Sequence, residues 1–329
     1  MNKPMHTLQW LIKREFWEHK GSLFWTPIVI GAAMIALVVA TTIWGLASGN
    51  MKRGDLMIDG QRIDVADLAS RLTPTQLHSM ADALASSYLL IGVPLLLALG
   101  FVLFFYCAGA LNDERRDRSI LFWKSLPLSD EATVLSKAAT ALVVAPLITI
   151  GVATATSLVI LLLGALFVTI NGVNLFGLLL LNPGLYLTPL QLLALLPIYA
   201  LWALPTVGWV LMVSSWARSK VFLWAVGVPL IVAVILKWSS MLGGPLSVEW
   251  YMENIVVRLL GSLYPTWLAD DQAIPVRLLI RAGNSTVDMG SVVAQSYMTL
   301  ARPDIWIGAI AGAAMLYAAV RLRRWRDES

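Results

Sequence analysis

The chain alternates long apolar runs with short charged segments, and six of the runs approach the roughly 20 residues that a helix needs to cross about 30 Å of hydrocarbon. They are Phe24 to Ala47, Tyr88 to Leu111, Ala138 to about Ile170, Leu190 to Val213, Val221 to Leu242, and Pro303 to Leu322. Charges keep to their edges. Lys237 lies near one end of the fifth run, and Asp304 and Arg321 sit at the two ends of the sixth, where long side chains reach the interface. The pattern predicts an all-α polytopic membrane protein, a single transmembrane domain over residues 1–329. Ahead of the first run, Leu8, Leu11, Ile12 and Phe16 recur at helical spacing. Trp10 and Trp17 stand one heptad apart, with Lys13, Arg14, Glu15, Glu18 and Lys20 beside them. Residues 1–23 therefore read as an interfacial helix.

The 80 residues from Ala138 to Ala217 carry no charged side chain and are long enough for three crossings. The middle part, Asn174 to Pro189, is short and broken by Asn182, Pro183 and Gly184, so we expect a re-entrant or surface-lying turn there. In the outer loop 48–87, Leu56 to Val65 predicts a hairpin around Asp59-Gly60. Thr73-Pro74-Thr75-Gln76 predicts a helix start, with Thr73 as N-cap and Gln76 reaching back, and that helix is expected to run into the second span. In the outer loop 243–302, Ser247 to Leu263 strings Glu249, Glu253, Asn254, Arg258 and Ser262 along one stripe of an apolar helix. Such a segment is too polar to cross and is expected to lie at, or dip into, the outer surface.

Composition agrees with the pattern. Hydrophobic residues make up 58% and charged ones 13%, against roughly 45–50% and 25% for a soluble domain. Cys107 is the only cysteine, so no internal disulfide can form. The net charge of +4 would by itself suggest nucleic acid, but the basic residues flank apolar runs, where the positive-inside rule already accounts for them. Of the 24 Lys and Arg residues, 15 fall on the side that carries both termini. That side, with both termini, is expected to face the cytoplasm.

Several chemistries are missing. No run has an acid, histidine or arginine in its interior, where ion-coupled carriers usually need one. His6, His19 and His78 lie outside the runs and form no zinc motif. No G-x-S-x-G elbow occurs and no lysine follows a glycine, which removes that hydrolase signature and the P-loop. No cofactor is expected in this chain. Uphill transport would have to draw its energy from another polypeptide.

The segment 112–131 carries the functional signal. Six consecutive charges of both signs, Asp113 to Arg118, precede the apolar knot Ile120-Leu121-Phe122-Trp123. Mixed charge beside an aromatic anchor suits a protein interface; positive-inside charge with an interfacial anchor is the plainer reading. Ser129, Asp130 and Glu131 suit the positive end of the next helix. These residues, together with Arg14-Glu15-Phe16-Trp17-Glu18 and the hydropathy of nearly the whole chain, resemble the permease subunits of type-2 ABC transporters, bacterial exporters with six spans per subunit.

The resemblance implies several things. An N-terminal helix would lie on the inner surface, and the loop after span two would form a coupling helix on a separate cytoplasmic ATPase that holds ATP and magnesium. A segment between spans five and six would dip into the outer leaflet. Glu114, Arg115, Arg116, Arg118, Leu121, Phe122 and Trp123 would be the main ATPase contact, and Arg218 and Lys220 in the tight Trp216–Lys220 loop a minor one. The permease would pair with a second copy or a homologous permease, among membrane lipids, and would not itself be an enzyme. Two rival readings are a membrane scaffold or sensor that recruits a cytoplasmic partner, and a membrane-embedded lipid-modifying transferase using Glu249, Glu253, Asp270 and Asp271. Gly308-Ala309-Ile310-Ala311-Gly312 is a small-xxx-small face, for which packing within one subunit is the favoured reading.

Overall fold

The computed structural model describes residues 4–48, 55–58, 61–64, 73–86, 88–117, 129–170, 172–243, 247–268 and 289–326. In chain order the elements begin with α1 (Pro4–Glu18), a π-turn (Gly21–Trp25), α2 (Thr26–Ala47), and a hairpin of β1 (Asp55–Ile58) and β2 (Gln61–Asp64). Next come α3 (Pro74–Ser86), α4 (Tyr88–Ala110), the short α5 (Asn112–Arg116), α6 (Asp130–Ala139), a second π-turn (Thr140–Val144) and α7 (Ala145–Ile170). The rest are α8 (Leu175–Leu180), α9 (Pro183–Ala194), α10 (Leu196–Trp216), α11 (Val221–Met241), α12 (Val248–Tyr251), α13 (Val257–Gly261), α14 (Met289–Met298) and α15 (Pro303–Arg326). Six helical stretches are long and apolar enough to cross a membrane, built on α2, α4, α6–α7, α9–α10, α11 and α15. This is a multi-pass membrane protein.

Local chemistry sets the boundaries. Thr73 and Gln76 form the expected capping box, with the Thr73 amide donating to Gln76 Oε1 at 2.8 Å and the Gln76 amide to Thr73 Oγ1 at 3.4 Å. α4 begins two residues after the end of α3. Ser129 caps α6 by accepting from the Ala132 amide, so the helix starts at Asp130, as Ser129, Asp130 and Glu131 suggested, ahead of the uncharged run that begins at Ala138. The hairpin pairs Ile58 with Gln61 and Asp55 with Asp64, as expected for strands flanking Asp59-Gly60, which lie outside the described residues.

Asn174 to Pro189 adds no seventh crossing. α8 has six residues, about 9 Å of helix. Asn182 accepts from the Gly184 amide, and Pro183 opens α9. The second half of this stretch thereby becomes the first turns of the fourth long helix, which starts at Pro183 rather than Leu190. α8 and α9 pack on α3, and Asn182 Nδ2 donates to Asp82 Oδ1 at 2.6 Å. Together they form a layer at the end of the bundle away from α1.

α10 is the central helix, buried along most of its length and packed chiefly on α15. A Cβ on Gly312 would collide with the carbonyl of Leu204, and one on Gly208 with the carbonyl of Gly312. The small-residue face therefore serves close packing inside the chain. Pro229 lacks an amide and frees the Ala225 carbonyl one turn back; Trp209 Nε1 of α10 donates to that carbonyl at 2.9 Å and ties α10 to α11. α2 and α11 are the most peripheral of the long helices.

Residues 248–261 run as one helical stretch, with a π-turn (Met252–Val256) between α12 and α13. They fold back against the bundle. Thr206 Oγ1 donates to the Arg258 carbonyl at 3.0 Å, and Tyr251 OH to the Pro229 carbonyl at 3.3 Å. The Arg258 guanidinium stacks over the Trp202 ring, with Cζ 3.6 Å from its centroid, in space that a side chain on Gly308 would fill. The apolar runs carry no charge in their interiors, yet the fold lays a cation against two of them.

Candidate functional site

Helical periodicity in α1 turns Leu11 and Glu15 inward and leaves Trp10 and Trp17 exposed. Glu15 follows Leu11 by four residues, so the same face that buries a leucine also buries a carboxylate, at 0% exposure. Its partner comes from the last turn of α6. Lys137 is 1% exposed, and its Nζ stands 2.9 and 3.0 Å from the two Glu15 carboxylate oxygens and 2.9 Å from Glu114 Oε1. All three ammonium protons are thereby used.

Glu114, in α5, joins this pair to the end of α15. Arg323 Nη1 donates to Glu114 Oε2 at 2.9 Å, and its Nε donates to Asp130 Oδ1 at 3.0 Å. Arg14 Nη2 reaches Glu15 Oε1 at 2.7 Å and Glu114 Oε1 at 3.2 Å. Tyr106 OH donates to Glu15 Oε2 at 3.1 Å. Three cations face the three carboxylates of Glu15, Glu114 and Asp130, which balance in charge, and exposed Glu18 adds a fourth carboxylate at the rim, 3.6 Å from Arg14 Nε. An isolated buried ion costs several kcal/mol, and such a group is favourable only when its members are all present. It fastens α1, α5, α6 and α15 at one point. Saturated carboxylates suit a mechanical tie better than proton transfer.

Beside the cluster, Arg115 closes the end of α10. Its Nη2 donates to the carbonyls of Ser214 and Ala217, the latter at 2.9 Å, a favourable place for a cation at a helix C-terminus. Ser214 Oγ donates to the Ala108 carbonyl at 2.7 Å and accepts from the Leu111 and Asn112 amides at 3.2 and 3.1 Å. The ends of α4 and α10 are thus stitched together. The turn after α10 lies next to α5, and Lys220 within it takes a left-handed conformation at φ 53°.

The residues singled out from sequence divide into three groups. Arg116, Arg218 and Lys220 are exposed. Glu114 is buried in the ion cluster and Arg115 is half-buried against α10; these two face into the fold. Arg118, Leu121, Phe122 and Trp123 lie outside the described residues, as do Asp270 and Asp271. Glu249 and Glu253 are exposed, with Glu249 Oε1 4.0 Å from Lys237 Nζ. Sequence reasoning assigned no site role to Glu15, Lys137, Asp130 and Arg323. One signal was available for Glu15: a carboxylate at a position that the helical period gives to the apolar stripe.

Among the described residues no group of three or more His, Cys, Asp or Glu side chains could hold a metal ion. Comparison with known protein families, curated proteins and solved structures finds no match for this chain.

Proposed function

We propose that this chain is the membrane-spanning permease subunit of an ATP-driven exporter in a bacterial inner membrane, with both termini in the cytoplasm. The ATP and magnesium are held by a separate ATPase subunit, and two permeases, identical or homologous, pair to form the path. The observation that carries this reading is the junction at the α1 face. Arg115 sets α5 beside the 217–220 turn, Arg116, Arg218 and Lys220 are exposed on these two neighbouring segments, and Glu114 of α5 belongs to the ion cluster that grips α1, α6 and α15.

A force on that surface passes through short, charge-assisted contacts to the ends of several long helices. This is what a subunit without its own nucleotide site needs: ATPase closure pushes on α5, and the helices tilt together. Glu114 and Arg115 serve as framework behind the contact, and Arg116, Arg218 and Lys220 as the contact itself.

The test is co-production with the Walker-type ATPase encoded beside it. The ATPase is expected to copurify and to change its hydrolysis rate when the permease is present. Replacing Arg116, Arg218 and Lys220 with Ala should weaken that association about tenfold or more, while membrane insertion and thermal stability stay unchanged. Full retention of the ATPase by the triple variant would sink the assignment. A scaffold predicts no ATPase effect, and a transferase predicts turnover without ATP.

A further inference from the structure

A cavity of about 100 Å3 lies between α4, α7, the break that separates α9 from α10, and the turn at 263–267. Leu99, Pro146, Ile150 and Val292 are buried in its wall, while Leu96 and Leu192 at its edge are half-buried. The two aromatic residues that line it keep their polar ends engaged elsewhere. Tyr199 OH donates to the Leu263 carbonyl at 3.1 Å, and Trp267 Nε1 to Ser296 Oγ at 3.1 Å. A trapped water needs two to four polar partners, and this wall offers almost none, so the space excludes water. Smaller voids adjoin it along the α4–α7 seam, one sharing Leu96, Ile150 and Leu192, the other sharing Leu99. Each of these has only about 10 Å3, room for a single water-sized sphere.

We propose that this cavity is a binding site for the end of a hydrocarbon chain, the last few carbons of an acyl chain of a membrane phospholipid. Two observations select that occupant. The cavity refuses water, and the long helices around it expose large apolar side chains to the outside, among them Leu97 and Phe101 on α4 and Leu190 and Leu193 on α9. The medium at its edge is therefore lipid tails rather than water. A flexible apolar chain end can enter from there past Leu96 and Leu192, whereas a polar molecule would leave hydrogen-bonding groups unmatched. The proposal does not rest on the export reading.

The experiment uses the full chain alone, without an ATPase, in phospholipid nanodiscs where a fraction of the lipid carries a diazirine at the end of one acyl chain. After irradiation and digestion, mass spectrometry locates the adducts. Adducts are expected on peptides containing Leu192 to Tyr199 or Met289 to Val292, and excess dodecane is expected to compete them away. Val292→Trp, which fills the space with protein atoms, should cut this labelling about tenfold. Dodecane competition on the unaltered chain decides the question even where that variant fails to fold. Labelling confined to the outer surfaces of α2 and α11, or cavity adducts indifferent to dodecane, would overturn the proposal.

Discussion

At the scale of single residues, Lys137 decides most. It pairs with two carboxylates 23 and 122 residues away in the chain, bridging both Glu15 oxygens to Glu114 through one ammonium. Lys137→Met should cost about 3–5 kcal/mol, because Glu15 and Glu114 would then share only the cations at their edges. Denaturant or thermal unfolding in detergent measures it. Glu15→Gln keeps the shape and removes one charge, so the loss should be smaller. The cluster was only half legible from sequence. Glu114 stood out by its charged surroundings and drew a surface role, whereas Lys137 looked like a flanking charge before a span. Which cation meets which acid depends on how α6 and α15 approach each other, and no local pattern encodes that.

At the scale of elements, the crossing of α10 and α15 depends on missing side chains. Gly312→Ala should destabilise the chain by about 1–3 kcal/mol through overpacking. Gly227→Ala in α11, where a Cβ meets nothing within 4 Å, should be neutral or slightly stabilising. Comparing the two by thermal unfolding separates close packing from a general helix effect. Trp209→Phe should cost about 1 kcal/mol by the same measurement, since the Ala225 carbonyl loses its donor in surroundings without water. Caps at Thr73, Ser129 and Asn182 were open to sequence reading because they are local contacts within a few residues. The Trp209–Ala225 tie was hidden, since it needs the register between two helices. The start of the third long helix was legible in the same way as the caps, from Ser129, Asp130 and Glu131, although the uncharged run within it begins only after Lys137.

At the scale of the whole molecule, the six long helices were visible from hydropathy alone, as was the polar stripe of 248–261. What hydropathy cannot rank is which helices sit inside. α10 and α11 have nearly the same length and apolar character, yet one is central and the other peripheral. The difference comes from Gly208 and from the polar face Tyr199, Trp202 and Thr206, which holds the returning 248–268 stretch.

The ion cluster also bears on biogenesis. Glu15 leaves the ribosome early, Glu114 and Lys137 near the middle, and Arg323 last of all. Until α15 has been threaded into place, Glu114 and Asp130 lack the guanidinium that finally covers them, so a nascent or truncated chain holds surplus negative charge at that face. Completion of the bundle is therefore recorded chemically, by the arrival of one arginine.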